Sequence, residues 1–250
     1  MRFTLVSAVA LLLVACGTSN PPVQPRRAPD GIERFGSGPT LRYLVLGDST
    51  AVGVGGTYEL GIARQTALHL ANDRTVEMKN LAVSGARGAD VLHEQLPRIG
   101  SFVPDVVLLD VGANDVVHLT SARSLERDLA KIIQALRSIH CDVRIVVTGA
   151  AAMSTPPRIP RALRWLAARR TRALNAVFQR AVEREELTFA PIARETGPLF
   201  RSDPTLFDAD RFHPNDRGYA TWIDVIEPAL DRALTEPSRC AGKVDIWSID

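Results

Sequence analysis

The chain has 250 residues, 46% of them hydrophobic and 23% charged, which are values of an ordinary globular protein with length enough for one sizeable core. That composition excludes a disordered chain, a collagen-like repeat and a multi-span membrane protein. A net charge of +2 with 6% aromatic residues gives no basis for nucleic-acid binding. Three cysteines are too few for a disulfide-built scaffold or a four-thiolate zinc site.

Residues 1–15 begin with one positive charge at Arg2 and continue as an apolar run from Leu5 to Ala15. The run is too short to cross a bilayer core of roughly 30 Å as a permanent helix, but it suits the core of a signal peptide. It closes on Leu13-Val14-Ala15-Cys16, which resembles the bacterial lipobox. In that signal the cysteine is diacylated and becomes the new N-terminus, so the resemblance implies an exported protein held to a membrane through Cys16. The competing reading is an ordinary secretory signal with an incidental cysteine. Residues 16–40 are rich in Pro, Gly and polar side chains without an apolar period, and are expected to form a flexible tether. A folded domain is expected over 41–236, with 237–250 as a C-terminal tail.

Within that domain short β-branched runs alternate with amphipathic stretches. Strands are expected at Arg42–Gly47, Thr75–Val83, Asp105–Val111 and Asp142–Thr148, with a fainter fifth at Leu187–Ala190. Helical periods occupy Tyr58–Asn72, Ala89–Arg98, Ser121–Ile139, Arg161–Glu186 and Asn215–Leu234. Such alternation predicts an α/β sandwich around a mainly parallel sheet. In sheets of this kind ligands collect beyond the carboxyl ends of the strands.

The first strand runs into Gly47-Asp48-Ser49 and a glycine-rich turn from Gly53 to Gly56. A serine just past a buried strand is well placed to act as an exposed nucleophile, although an ordinary turn serine has the same signature. A phosphate loop is excluded because no lysine follows, and a nucleophile elbow because Ala51 stands where it requires glycine. The second strand ends in Asn80-Leu81-Ala82-Val83-Ser84-Gly85, and the third in Gly112-Ala113-Asn114-Asp115. Taken singly, each also reads as a plain strand-to-helix turn or helix cap. Late in the chain comes Asp208-Ala209-Asp210-Arg211-Phe212-His213-Pro214. Three of the five histidines have a carboxylate three residues before them, His93 with Asp90, His118 with Asp115 and His213 with Asp210, and of these only His213 lies in an irregular turn with a proline directly after it. That spacing lets the carboxylate fold back onto the imidazole and fix its tautomer.

The four segments together, in this order, resemble the SGNH/GDSL hydrolase family over roughly Arg42 to Leu234. The resemblance implies a flavodoxin-like three-layer α/β/α fold, here with a five-stranded mainly parallel sheet, and serine-dependent hydrolysis. It implies Ser49 as nucleophile, His213 as base and Asp210 as the group that orients His213. The oxyanion would be held by the Ser49 and Gly85 backbone N–H groups and the Asn114 side-chain amide. Asp208, two residues from Asp210, is the alternative carboxylate. The expected substrate is a small acyl or O-acetyl ester, with no cofactor, metal or nucleic acid. A thioesterase, a lysophospholipase, an O-acyltransferase and a catalytically silent binding protein stay open on the same scaffold.

Two features lie outside the motif set. Arg158, Arg161, Arg164, Arg169, Arg170 and Arg172 crowd the start of the fourth helical period, either as a solvated helix face or as an electropositive rim for anionic lipid or glycan. With Cys16 lipidated, Cys141 and Cys240 would remain as two thiols in an oxidising compartment. Cys141 precedes the fourth strand and the last helix should return to that same edge, so the expectation is a Cys141–Cys240 disulfide; the alternative is two unrelated thiols.

Overall fold

The structure, a computed structural model, describes residues 27–237 and residue 240. Among the described residues six strands form one sheet: β1 (Glu33–Phe35), β2 (Thr40–Gly47), β3 (Thr75–Asn80), β4 (Val106–Asp110), β5 (Arg144–Val147) and β6 (Thr188–Phe189), in the order β1-β3-β2-β4-β5-β6. Only β1 runs antiparallel; the other five are parallel. Their order, with β2 lying between β3 and β4, is the flavodoxin-like one, and it puts the topological switch point at the carboxyl end of β2.

The helices are α1 (Ser49–Val52), α2 (Ile62–Leu70), α3 (Ala113–Val117), α4 (Ala122–Ile139), α5 (Arg164–Glu185), α6 (Ile192–Glu195), α7 (Gly197–Ser202) and α8 (Asp216–Thr235), with an irregular helical segment at 88–98. Side chains of a strand alternate between faces, and each face of the sheet here is apolar. Tyr43, Val45, Val76, Met78 and Leu108 bury against α2 and α8, where Ile62, Ala67, Tyr219, Ile226 and Leu230 meet them. On the other side Leu44, Leu46, Val107, Leu109 and Ile145 bury against α4 and α5. The α4 contribution is Leu125, Leu129, Ile132, Ile133 and Leu136, a helical repeat that forms one continuous stripe. Ser121 caps that helix, accepting the Ser124 N–H at 3.1 Å.

The expectations need correction at the N-terminal edge. The segment expected as tether up to residue 40 is folded from Arg27 on, and the sheet has six strands where five were expected. Ala28 donates its N–H to the Ala82 carbonyl, Arg34 pairs with Glu77, and Phe35 is buried. A three-residue strand is too short to show a period, and its stability comes from β3, its neighbour. The expected signal peptide, the lipid-bearing Cys16 and residues 16–26 of the expected tether lie outside the described residues.

At the other end of the domain the Arg144 guanidinium donates to the Glu236 and Pro237 carbonyls. This anchors the chain after α8 beside β5. Cys141 and Cys240 meet there in a disulfide, 6.0 Å apart between Cα atoms and 99 residues apart in sequence. Closing a loop of that length stabilises by up to about 4.7 kcal/mol in the chain-entropy model. Replacing both cysteines by serine should lower the unfolding free energy by about 2–4 kcal/mol while leaving the circular dichroism spectrum unchanged. Equal urea midpoints for the two proteins would contradict this role.

Candidate active site

Three loops at the carboxyl end of the sheet meet at Ser49. Asp48 ends the β2 turn and caps α1, its Oδ1 accepting the Thr50 N–H at 3.1 Å. Gln95 fixes the turn from below, donating to the Gly47 carbonyl at 2.7 Å and accepting its N–H at 3.0 Å. Ser49 is thereby held at the first position of α1, where its own N–H has no intrahelical acceptor.

His213 Nε2 lies 2.9 Å from Ser49 Oγ, and His213 Nδ1 lies 2.5 Å from Asp210 Oδ2. The other Asp210 oxygen accepts the N–H groups of Phe212 and His213 at 2.8 and 2.9 Å. Burial raises the Asp210 pKa, but the hydrogen bonds from His213 and the backbone outweigh it and hold the carboxyl below its usual range. An ionised Asp210 can only accept, so Nδ1 carries the imidazole proton and Nε2 faces Ser49 as a base. Of the two carboxylates considered for this role, Asp210 is the one on the ring. Asp208 closes the loop through its backbone, donating to the His213 carbonyl and accepting from the Arg211 N–H, both at 2.8 Å.

Asn114 sits in α3, just past β4. Its amide Nδ2 is 3.2 Å from both Asp48 Oδ2 and the Ala86 carbonyl. Gly85, next to Ala86, has φ of +87° and nothing within 4 Å of where a Cβ would stand, which leaves the approach to its backbone open. The sequence-expected set of Ser49, Asp210, His213, Gly85 and Asn114 therefore gathers on one end of the sheet, with Cys141 and Cys240 apart from it.

Several residues of this region carried no role in the sequence reading. Gly55, with φ of +94°, is one: a Cβ there would stand 2.8 Å from the His213 Cβ and 2.5 Å from the Pro214 carbonyl oxygen. The histidine loop can dock on the glycine-rich turn only because that position is bare.

A buried carboxyl pair beneath Ser49 is another. Thr50 Oγ1 lies 2.9 Å from Asp48 Oδ1 and 2.7 Å from Asp110 Oδ2, and Asp110 Oδ1 accepts from Thr148 at 2.8 Å. One hydroxyl supplies one proton, so both Thr50 contacts are hydrogen bonds only when one carboxyl group carries a proton of its own. The two short hydroxyl bonds fall on Asp110, as expected of a charged acceptor; the charge is therefore on Asp110 and the proton on Asp48. Burial pushes both carboxyl groups up, Asp48 to about 7 with the Asp110 charge adding to it, while the hydrogen bonds from Thr50 and Thr148 oppose the rise at Asp110. The side-chain amide of Asn114 thus faces a neutral acid.

Ser49, Asn114 and His213 open into a pocket lined mainly by apolar side chains, including Ala151, Met153, Phe200, Phe207 and Trp222. A reactive hydroxyl, an oriented base and amide donors beside an apolar pocket are the parts needed for acyl transfer.

Known proteins resemble this chain in sequence and in fold. The model of the GDSL-like lipase/acylhydrolase family matches residues 45–221. The GDSL-like esterase Rv1075c of Mycobacterium tuberculosis is 30% identical over 234 residues, spanning 85% of this chain and 71% of that protein. The crystal structure of TesA superposes with a TM-score of 0.63 at 21% identity, over 77% of this chain and 99% of that one. The psychrotrophic esterase EstA from Pseudoalteromonas, in a structure inhibited by monoethylphosphonate, gives 0.60 at 17% identity over 78% of this chain and 99% of that one. At these identities the two superpositions concern the fold.

The carboxyl pair has a consequence for stability. Asp48 binds its proton more tightly folded than unfolded, so its contribution is complete below about pH 4 and is lost as pH rises to about 7. Asn at position 48 can donate to Thr50 at any pH. Urea unfolding across this range should therefore show Asp48→Asn gaining on the wild type as pH rises from 4 to 7. A difference between the two proteins that does not vary with pH would contradict the protonated pair.

Proposed function

This chain belongs to the GDSL-like lipase/acylhydrolase family, and within it we propose a serine-dependent carboxylic ester hydrolase that acts on small acyl or O-acetyl esters through an acyl-enzyme. The observation that carries the reading is the continuous line from Asp210 through His213 to Ser49, with bonds of 2.5 and 2.9 Å. Ser49 Oγ attacks the ester carbonyl as its proton passes to His213 Nε2. The imidazolium so formed is stabilised by Asp210 and then protonates the leaving alcohol. Water repeats the sequence against the acyl-enzyme, releasing the carboxylic acid and restoring Ser49.

The tetrahedral oxyanion needs donors aimed at where charge develops. The Ser49 and Gly85 N–H groups and the Asn114 amide fit that need. Asn114 is held by Asp48 and Ala86 through two long bonds of 3.2 Å, one of which it exchanges for the oxyanion as the charge develops. The apolar side chains around Ser49 suit an acyl group of modest size.

In assays with short p-nitrophenyl esters, Ser49→Ala and His213→Ala should each lower turnover by several decades. The double variant should be scarcely worse, because the two groups act as a unit. Asn114→Ala should cost about 10²–10³ in kcat, and Asp210→Asn should harm turnover more than Asp208→Asn. Full turnover by folded Ser49→Ala protein would overturn the mechanism.

We also propose that the exported protein is anchored through a lipid on Cys16, which the Leu13-Val14-Ala15-Cys16 sequence supports. Cys16→Ser should move the protein from the membrane fraction to the soluble one with ester turnover retained. Wild-type protein found wholly in the soluble fraction would exclude the anchor.

A further inference from the structure

Trp165, at the second residue of α5, is 64% exposed, more than any other large hydrophobic side chain among the described residues. Arg161, Arg169 and Arg172 are exposed with it. At spacings of four and seven residues from Trp165, they share its side of the helix and of the turn leading into it. Among the described residues none of these three arginines has a carboxylate partner. By contrast Arg34, Arg74, Arg87, Arg194 and Arg217 each pair with one. Along the chain no acidic residue lies between Asp142 and Glu183.

Folding does not account for this arrangement. The first turn of α5 has neither a side-chain cap nor an acidic residue, and the helix dipole disfavours the cations Arg161 and Arg164 at that end. A helix selected for stability alone would carry Asp or Glu there. An indole left in water gains nothing, whereas at the boundary of a bilayer its apolar body and polar N–H are both satisfied. Arginines around it match the phosphates of an anionic leaflet.

The position is also suited to a lipid surface. The other side of the same turn presents Leu163, Leu166 and Ala167 to a small apolar pocket whose wall includes Met153. Met153 lines the Ser49 pocket as well. The Arg158 N–H donates to the Arg211 carbonyl at 3.0 Å, tying this segment to the loop that carries His213.

We propose that the face formed by Arg161, Trp165, Arg169 and Arg172 docks on an anionic lipid bilayer, with the indole in the headgroup layer and the guanidinium groups against lipid phosphates. Charge complementarity and the exposed indole together select a lipid surface over a soluble polyanion, which would engage the arginines alone. The docking is independent of whether Ser49 is a nucleophile.

Residues 16–250 bearing Cys16→Ser hold every described residue and carry no lipid, so any binding belongs to the protein surface. This protein should co-sediment with vesicles of phosphatidylcholine plus phosphatidylglycerol. Partition should be about tenfold weaker on phosphatidylcholine alone, and should fall with added salt. Trp165→Ala and the triple change Arg161→Glu, Arg169→Glu, Arg172→Glu should each reduce partition about tenfold, with hydrolysis of a short soluble ester within about twofold of the parent. Equal partition on both vesicle types would overturn the proposal, as would parental partition by either variant. Capture of the parent and of Trp165→Ala alike by a soluble anionic polysaccharide, without vesicle binding, would assign the face to glycan instead.

Discussion

The bond between His213 Nε2 and Ser49 Oγ spans 164 residues of sequence, and most of the structure around the site exists to close that distance. The two residues arrive on separate elements, one at the end of β2 and the other just before α8. What fixes their approach is the seam between the glycine-rich turn and the start of α8. Tyr219 donates its hydroxyl to the Val54 carbonyl at 2.5 Å, and Asp216 accepts from the Thr57 N–H and hydroxyl at 2.6 and 2.7 Å. Asn215 caps α8 and also holds the Thr205 and Phe207 carbonyls. A base on a loop is precise only when the loop is over-determined in this way.

The same compactness creates the carboxyl pair. Asp48 is positioned by its work as cap of α1 and neighbour of Asn114, while Asp110 closes β4 alongside it. Two buried acids this near a developing oxyanion would oppose catalysis if both were ionised. A shared proton resolves the conflict: Thr50 links the two groups and Thr148 gives Asp110 a second donor. The charge is kept on the acid that does not touch Asn114.

Much of this was legible in the sequence because the signals are local. Gly47-Asp48-Ser49, Gly85, Asn114 and the Asp210–His213 spacing each sit at the end of an apolar run, and a parallel sheet carries such ends to one side. The long helices were equally plain, since α4 and α8 have both an apolar period and a capping residue. Local signals could not reveal β1, whose order comes from β3, or α6 and α7, which are short and begin beside Pro191 and Pro198. Ala89–Arg98 reads as one helix, yet 88–98 passes through three helical geometries, with Pro97 unable to donate to a regular ladder. The partnership of Asp110 with Thr50 crosses 60 residues, and Asp110 by itself reads as the polar end of a strand. Gly55 was visible as one glycine among several, but its need comes from Pro214 and His213 packing on it.

The central claim, that Ser49 is activated by His213 for attack on an acyl carbon, has a direct chemical test. A fluorophosphonate traps an activated serine in a stable covalent adduct, and peptide mass spectrometry locates it. The account predicts a single adduct on Ser49 in the wild type, strongly slowed in His213→Ala. An adduct on another serine, or no adduct on well-folded wild-type protein, would contradict it.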